Sequence, residues 1–309
     1  MFLFPSADGC TNLARMSPYS LTFGGLDADE AGAPDAAQVV VLPVAYERTV
    51  SYGRGTADGP DAILRASAYV ELYDEELDRE PIAQGVHTLP ILQPAAFDLA
   101  DALDEIERAA RAPLEAGRFL VTLGGEHGLT LAPVRAARAV FGDALGVIQF
   151  DAHADLRDRY EGTPHSHASV MKRIVDLGLP TAAIGLRALS QPEAALIRAR
   201  DLPVIWGHQL DRIDGTDFDR LLDRLPERVY LTFDLDFFDP SLVPATGTPE
   251  PGGGFWWPTM RLLRRLFARK TVVAMDVVEL APRPGHPASD FVAARLVYKC
   301  LGYREVGRG

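Results

Sequence analysis

Seven short, almost uninterrupted apolar runs punctuate the chain: Val39–Val44, Phe119–Leu123, Val147–Phe150, Ala182–Leu186, Pro203–Trp206, Val229–Phe233 and Val272–Val278. Each has the length of a strand, and none alternates apolar with polar positions. Such runs read as strands buried on both faces. Helical periodicity fills the gaps, near residues 58–71, 98–115, 129–140, 168–178, 191–200, 217–224, 258–269 and 289–301. Strand–helix alternation on this scale predicts an α/β fold, a parallel sheet with helices on both faces. The 309 residues fit one large domain of this kind, with residues 1–38 as an N-terminal extension. Its end, 27–38, is small, acidic and Pro/Gly-containing, as a leading loop would be. A second long loop is expected at Pro244–Pro258, and a loop of that length in a compact domain is usually functional.

Ligands of a doubly wound sheet bind beyond the carboxyl ends of its strands. Four apolar runs end there in acids or imidazoles. One leads into Leu123-Gly-Gly-Glu-His127, one into Asp151-Ala-His-Ala-Asp155, one into Asp234-Leu-Asp236 and one into Glu279. His127, Asp151, His153, Asp155, Asp234 and Asp236 can therefore converge. Six donors exceed what one tetrahedral zinc takes, and four carboxylates around one ion repel one another. Two divalent cations ~3.5–4 Å apart, sharing bridging carboxylates, resolve both problems. Oxygen donors mixed with imidazole suit Mn²⁺, with Zn²⁺, Fe²⁺ or Ni²⁺ less favoured. Taken singly, each motif has a plainer explanation as a helix cap, a turn or a surface charge. Their recurrence behind apolar runs does not, because a buried carboxylate without a partner is very costly.

The net charge of −12 argues against nucleic acid as a partner and favours a cationic small molecule. Cys10 and Cys300 are too few for a disulfide framework, which points to a reducing compartment. No stretch reaches 18 apolar residues, and the apolar start Met1–Pro5 lacks the features of a signal peptide. A cytoplasmic protein without a membrane partner is expected.

Three segments, LGGEHGLTLAP (123–133), VIQFDAHADL (147–156) and TFDLDFFDPSLVPATGTPEPGGG (232–254), resemble the signatures of the ureohydrolase family, which includes arginase and agmatinase. The resemblance runs from about Val39 to the C-terminus. It implies a three-layer α/β/α fold of the arginase/deacetylase kind and two Mn²⁺ per chain. Carried over by motif, one metal takes His127, Asp151, Asp155 and Asp234; the other takes Asp151, His153, Asp234 and Asp236. It also implies a homo-oligomer, trimer or hexamer. The stretches TVSYGRGTADGPDAILRAS (49–67) and GTPEPGG (247–253) are most similar to the agmatinase branch. In arginases an Asp-x-Asp tends to follow the Gly-Leu-Arg strand end and serves the amino-acid head group. Here Ala188-Leu-Ser190 follows Gly185-Leu-Arg187, which disfavours such a substrate.

The chemistry expected is hydrolysis of agmatine to putrescine and urea by a hydroxide bridging the metals, since metal ions bring the pKa of bound water down to ~7. N1-aminopropylagmatine, guanidinobutyrate and free guanidine are alternative substrates, and a mononuclear zinc deacetylase is the alternative chemistry. The departing amine needs a general acid. By resemblance this is His167, in SHASVM (166–171), with His165 closer to a surface role. Glu279 is expected to hold the guanidinium plane. Glu161 and Asp158 are candidates for the distal amine.

Overall fold

The computed structural model describes residues 21–26, 36–96 and 98–307. Cys10, Met1–Pro5 and residues 27–35 of the expected leading loop lie outside them. Eight strands form one sheet: β1 (Val39–Pro43), β2 (Val86–Thr88), β3 (Phe119–Leu123), β4 (Leu145–Phe150), β5 (Thr181–Leu186), β6 (Val204–Trp206), β7 (Arg228–Asp234) and β8 (Thr271–Val278). Their order is β2-β1-β3-β8-β7-β4-β5-β6, and every pairing is parallel. All seven apolar runs are strands. The edge strand β2 is the addition. Its three residues, Val-His-Thr, carry too little pattern to be read in sequence, and pairing with β1 makes it a strand.

Among the described residues, eight α-helices follow the expected pattern: α1 (Gly59–Ser67), α2 (Leu99–Glu115), α3 (Leu131–Phe141), α4 (Val170–Asp176), α5 (Gln191–Arg200), α6 (Gly215–Leu222), α7 (Trp256–Arg269) and α8 (Ala288–Val306). One face of the sheet packs with α1, α6, α7 and α8 through residues such as Ile63, Phe218, Leu263 and Leu296. The other packs with α2 to α5 through Leu103, Val134, Ile174 and Ile197. Residues of β1 alternate between these two cores, Val39 and Val41 facing one and Leu42 the other. This is a three-layer α/β/α arrangement. Burial on both faces is why the strands are apolar throughout.

Helix ends follow local chemistry. Asp214 caps α6, accepting from the Thr216 and Asp217 amides. Ser190 and Glu193 form a capping box at the start of α5, which ends in the left-handed Asp201. The irregular stretch between α1 and β2 has no such pattern. It is fixed to α8 by a buried charge: Lys299 Nζ lies 2.9 Å from Asp74 Oδ1 and 3.0 Å from Glu76 Oε2, and Tyr303 donates to Glu76. Removing one partner leaves the other buried without compensation. Lys299→Ala should therefore lower unfolding free energy by ~3–5 kcal/mol in a denaturant titration, and a loss under 1 kcal/mol would show that Asp74 finds water instead.

Candidate metal centre

A parallel sheet places the carboxyl ends of all its strands along one edge. Here β3, β8, β7 and β4 are consecutive neighbours, so the four loops singled out in the sequence open side by side. The loop after β3 needs glycine. A Cβ on Gly125 would fall 2.0 Å from the Tyr46 carbonyl oxygen, so no larger residue lets the chain pass and deliver His127. Asp155 and Glu279 both sit at positive φ, +49° and +66°. Non-glycine residues rarely adopt that conformation, and it is typical of strained functional positions.

The six expected donors meet. His127 Nδ1 lies 3.1 Å from Asp151 Oδ2, 3.1 Å from Asp155 Oδ2 and 3.3 Å from Asp234 Oδ2. His153 Nδ1 lies 2.9 Å from Asp236 Oδ2 and 3.7 Å from Asp151 Oδ1. Two donor groups emerge, His127–Asp151–Asp155 and Asp151–His153–Asp236, with Asp151 common to both. Asp234 Oδ1 accepts from the Asp236 amide, and Asp236 Oδ1 from the Ala152 amide. The second of these bonds locks the two acid-bearing loops to each other.

The ring of His127 shows what belongs between these donors. Thr232 Oγ1 donates to Asp276 Oδ1 at 2.7 Å, so it can only accept from His127 Nε2 at 2.9 Å. With one proton on Nε2, the ring turns Nδ1 toward three carboxylate oxygens; burial opposes its ionisation, but Asp151, Asp155 and Asp234 raise it well above the usual imidazole range. Nδ1 is buried and has no hydrogen-bond partner. Such a cluster is repulsive unless positive charge, a proton or a metal cation, lies among its atoms. The spacing suits one: neighbouring donors around an octahedral ion with bonds of ~2.1 Å are ~3 Å apart. The charges agree. Burial and the Asp236 and Asp155 charges push Asp151 up to about 7. Burial opposes ionisation of His153, but Asp236 and Asp151 raise it to about 11. Burial would raise Asp236 too, yet His153 holds it down to about 2. Carboxylates this crowded do not all ionise without added positive charge. The residues fit divalent metal.

Above the donors lies a cavity of about 250 Å³. His127, His153, Asp155, Asp234, Asp236, His167 and Glu279 all reach its wall. Glu279 Oε1 accepts from the His127 amide at 2.6 Å, and burial pushes this carboxyl up to about 8. His167 sits opposite in a polar cradle: Thr49 Oγ1 is 3.3 Å from Nδ1, Ser51 Oγ is 3.4 Å from Nε2, and the Tyr160 ring stacks edge-on at 5.4 Å. His165 does not line the cavity. Glu161 and Asp158 do not line it either, which corrects their expected contact with a distal amine. Their loop turns toward α4, where Asp158 is exposed and pairs with Arg173 at 2.8 Å and Lys172 at 3.7 Å. Glu161 occupies an exposed turn at φ +48°.

Several supporting residues escaped the sequence reading. Gln149 donates to Asp151 Oδ2 at 2.6 Å. Thr232, Asp276 and Tyr230 form a buried chain behind His127, Tyr230 donating to Asp276 Oδ2 at 2.7 Å. Glu126, fully buried, accepts from the Thr49 amide and hydroxyl at 2.7 Å and so fixes the loop beside His167. A signal existed: Gln149, Thr232 and Asp276 are lone polar residues inside apolar strands.

The chain behind His127 generates a test. A hydroxyl that orients a metal-binding imidazole typically matters 10–100-fold for metal affinity. Thr232→Val keeps the shape, removes the acceptor and should weaken divalent-metal binding by roughly that factor in a calorimetric titration. Unchanged affinity would mean that packing alone orients the ring.

Comparison with known proteins agrees with this geometry. A family model described as the Arginase family matches residues 37–302. The chain is 42% identical over 272 residues to a Synechocystis protein named N(1)-aminopropylagmatine ureohydrolase, covering 86% of this chain and 89% of that protein. It is 32% identical to the agmatinase of Pyrococcus horikoshii, covering 86% of this chain and 92% of that one. Among solved structures, the agmatine ureohydrolase of Thermoplasma volcanium superposes with a TM-score of 0.83 at 29% identity, over 93% of this chain and 95% of that one. The apolar strand frame, the acids at its carboxyl edge and a family match across most of the chain agree, and the chain belongs to the arginase family.

Proposed function

We propose that the chain is a binuclear, manganese-dependent ureohydrolase that hydrolyses the guanidinium of agmatine, with water, to urea and putrescine. One observation carries this reading: two donor groups sharing Asp151 sit at the floor of the cavity whose wall holds Glu279 and His167. His127, Asp151, Asp155 and Asp234 would hold one ion, and Asp151, His153, Asp234 and Asp236 the other. The oxygen-rich donor set with imidazole supports Mn²⁺. Bound there, two divalent cations supply Lewis acidity and make water nucleophilic at neutral pH.

The side chains do the rest. Glu279 is held by the His127 amide through Oε1, which leaves Oε2 to accept from the planar guanidinium and orient its carbon over the floor. The guanidinium cation offsets the burial that otherwise raises this carboxyl to about 8, so substrate and carboxylate stabilise each other's charge. As the C–N bond breaks, the departing amine takes a proton. We assign this donation to His167 on the cavity wall; the Thr49 hydroxyl, itself committed to Glu126 Oε1, accepts from the ring and fixes its orientation. Ala188 on the cavity wall, and Ser190 two residues on, present no carboxylate to an α-amino group, which supports an amine over an amino acid.

A second reading keeps this chemistry with N1-aminopropylagmatine as substrate and spermidine as product. It is favoured by relatives bearing that name at 42% and 37% identity, above the 32% of the P. horikoshii agmatinase. Turnover of agmatine, N1-aminopropylagmatine, 4-guanidinobutyrate and arginine, with metal analysis of the same preparation, decides between them. Two Mn²⁺ per chain and kcat/KM for either amine far above that for arginine are expected. One ion per chain, or arginine as the better substrate, would overturn the proposal.

His167→Ala should lower kcat by roughly 10²–10⁴-fold with both metals retained. A normal kcat would move proton transfer to water.

A further inference from the structure

The reading above leaves the far end of the substrate without a partner. Aminoalkylguanidines carry a second cation, since an alkylamine titrates near ~10.4. Six carboxylates reach the cavity: Asp155, Asp234, Asp236, Glu193, Glu250 and Glu279. Five are engaged. The three aspartates belong to the donor cluster, and Glu279 is held by the His127 amide. Glu193 accepts from the Leu156 amide at 3.0 Å and from the Ser190 amide and hydroxyl at 2.7 and 2.6 Å. Among the described residues, Glu250 is the one of these six carboxylates whose side chain makes neither a hydrogen bond nor an ion pair.

Its backbone, by contrast, is tightly held. The Arg187 guanidinium donates to the carbonyls of Glu250 (2.8 Å), Pro251 (3.0 Å), Asp236 (2.7 Å) and Gly185 (3.1 Å). It thus ties the segment bearing Glu250 to the donor loop after β7; its N–H groups bond main chain, and only its longer-range charge reaches the Glu250 carboxylate. Prolines at 249 and 251 restrict the backbone on both sides. A half-buried carboxylate on a pre-set backbone loses little entropy on binding a cation. The cavity's own cation, Arg157, does not occupy it: Arg157 lies over the Tyr160 ring at 5.5 Å and 3.9 Å from Glu193.

We infer that Glu250 is a specificity-determining residue, the acceptor for the ammonium group on the aminoalkyl tail of the substrate. The inference rests on the ureohydrolase reading. It assigns the tail contact to the Pro-Glu-Pro segment rather than to Glu161 and Asp158.

The test compares agmatine with butylguanidine, which has the same guanidinium and no tail charge, on manganese-loaded wild type, Glu250→Gln and Glu250→Asp. Urea release from neither compound by wild type would refute the underlying reading, and with it this one. If wild type favours agmatine, Glu250→Gln should reduce the agmatine-to-butylguanidine ratio of kcat/KM roughly 10-fold or more, mainly through KM, with metal content unchanged. Glu250→Asp keeps the charge and should hold the ratio within a few-fold of wild type. It serves alone if the Gln variant does not fold, since a ratio near unity in Glu250→Asp would then contradict the assignment. An undiminished ratio in Glu250→Gln would overturn it. So would a wild-type preference for 4-guanidinobutyrate, whose anionic tail would select Arg157 instead.

Discussion

Repulsion among carboxylates governs this molecule. Asp151, Asp155, Asp234 and Asp236 are all buried around two imidazoles, in surroundings that strongly disfavour uncompensated charge. No chain gathers such a set by chance packing. The sheet forces the encounter by bringing the carboxyl ends of β3, β8, β7 and β4 together, and the backbone amides of Ala152, His153 and Asp236 each meet one acid oxygen. Those bonds offset part of the repulsion. The remainder suits the floor to divalent cations, so its electrostatic tension and its capacity to hold metal are the same property.

Around that floor the protein works by denying side chains their alternatives. Thr232 has its proton committed to Asp276, which obliges His127 Nε2 to donate. Thr49 is committed to Glu126 in the same manner, and its oxygen faces His167. In both cases a buried acid, acting through one hydroxyl, decides how an imidazole is oriented. Such polar chains are valuable only when complete.

The frame was legible because burial on both faces writes itself as continuous apolar runs, and Phe119–Leu123 matches its strand to the residue. The donors were legible because acids directly behind such runs are chemically anomalous. What stayed hidden depends on distance in three dimensions. Three-residue β2 exists only because β1 offers an edge. Glu126, one residue before His127, reaches back to the amides of Arg48 and Thr49, contacts that no spacing in the sequence announces. Asp158 and Glu161 had the right charge and lay close to the donors in sequence. The direction of their loop, set by Arg173 and Lys172, took them elsewhere.

The order of the strands also has a consequence for biogenesis. The chain lays down β1 to β6 first, and only then returns to place β7 and β8 between β3 and β4. Leu120 waits for Ala274, and Gly146 for Val229. Until the C-terminal third emerges from the ribosome, two central strands present open hydrogen-bonding edges, the kind that recruit foreign strands. Over the same interval His127 and Asp151 are already synthesised, while Asp234 and Asp236 are not. A complete donor cluster therefore cannot template early folding, and a nascent chain stalled before β7 would be both sticky and short of two of its donors.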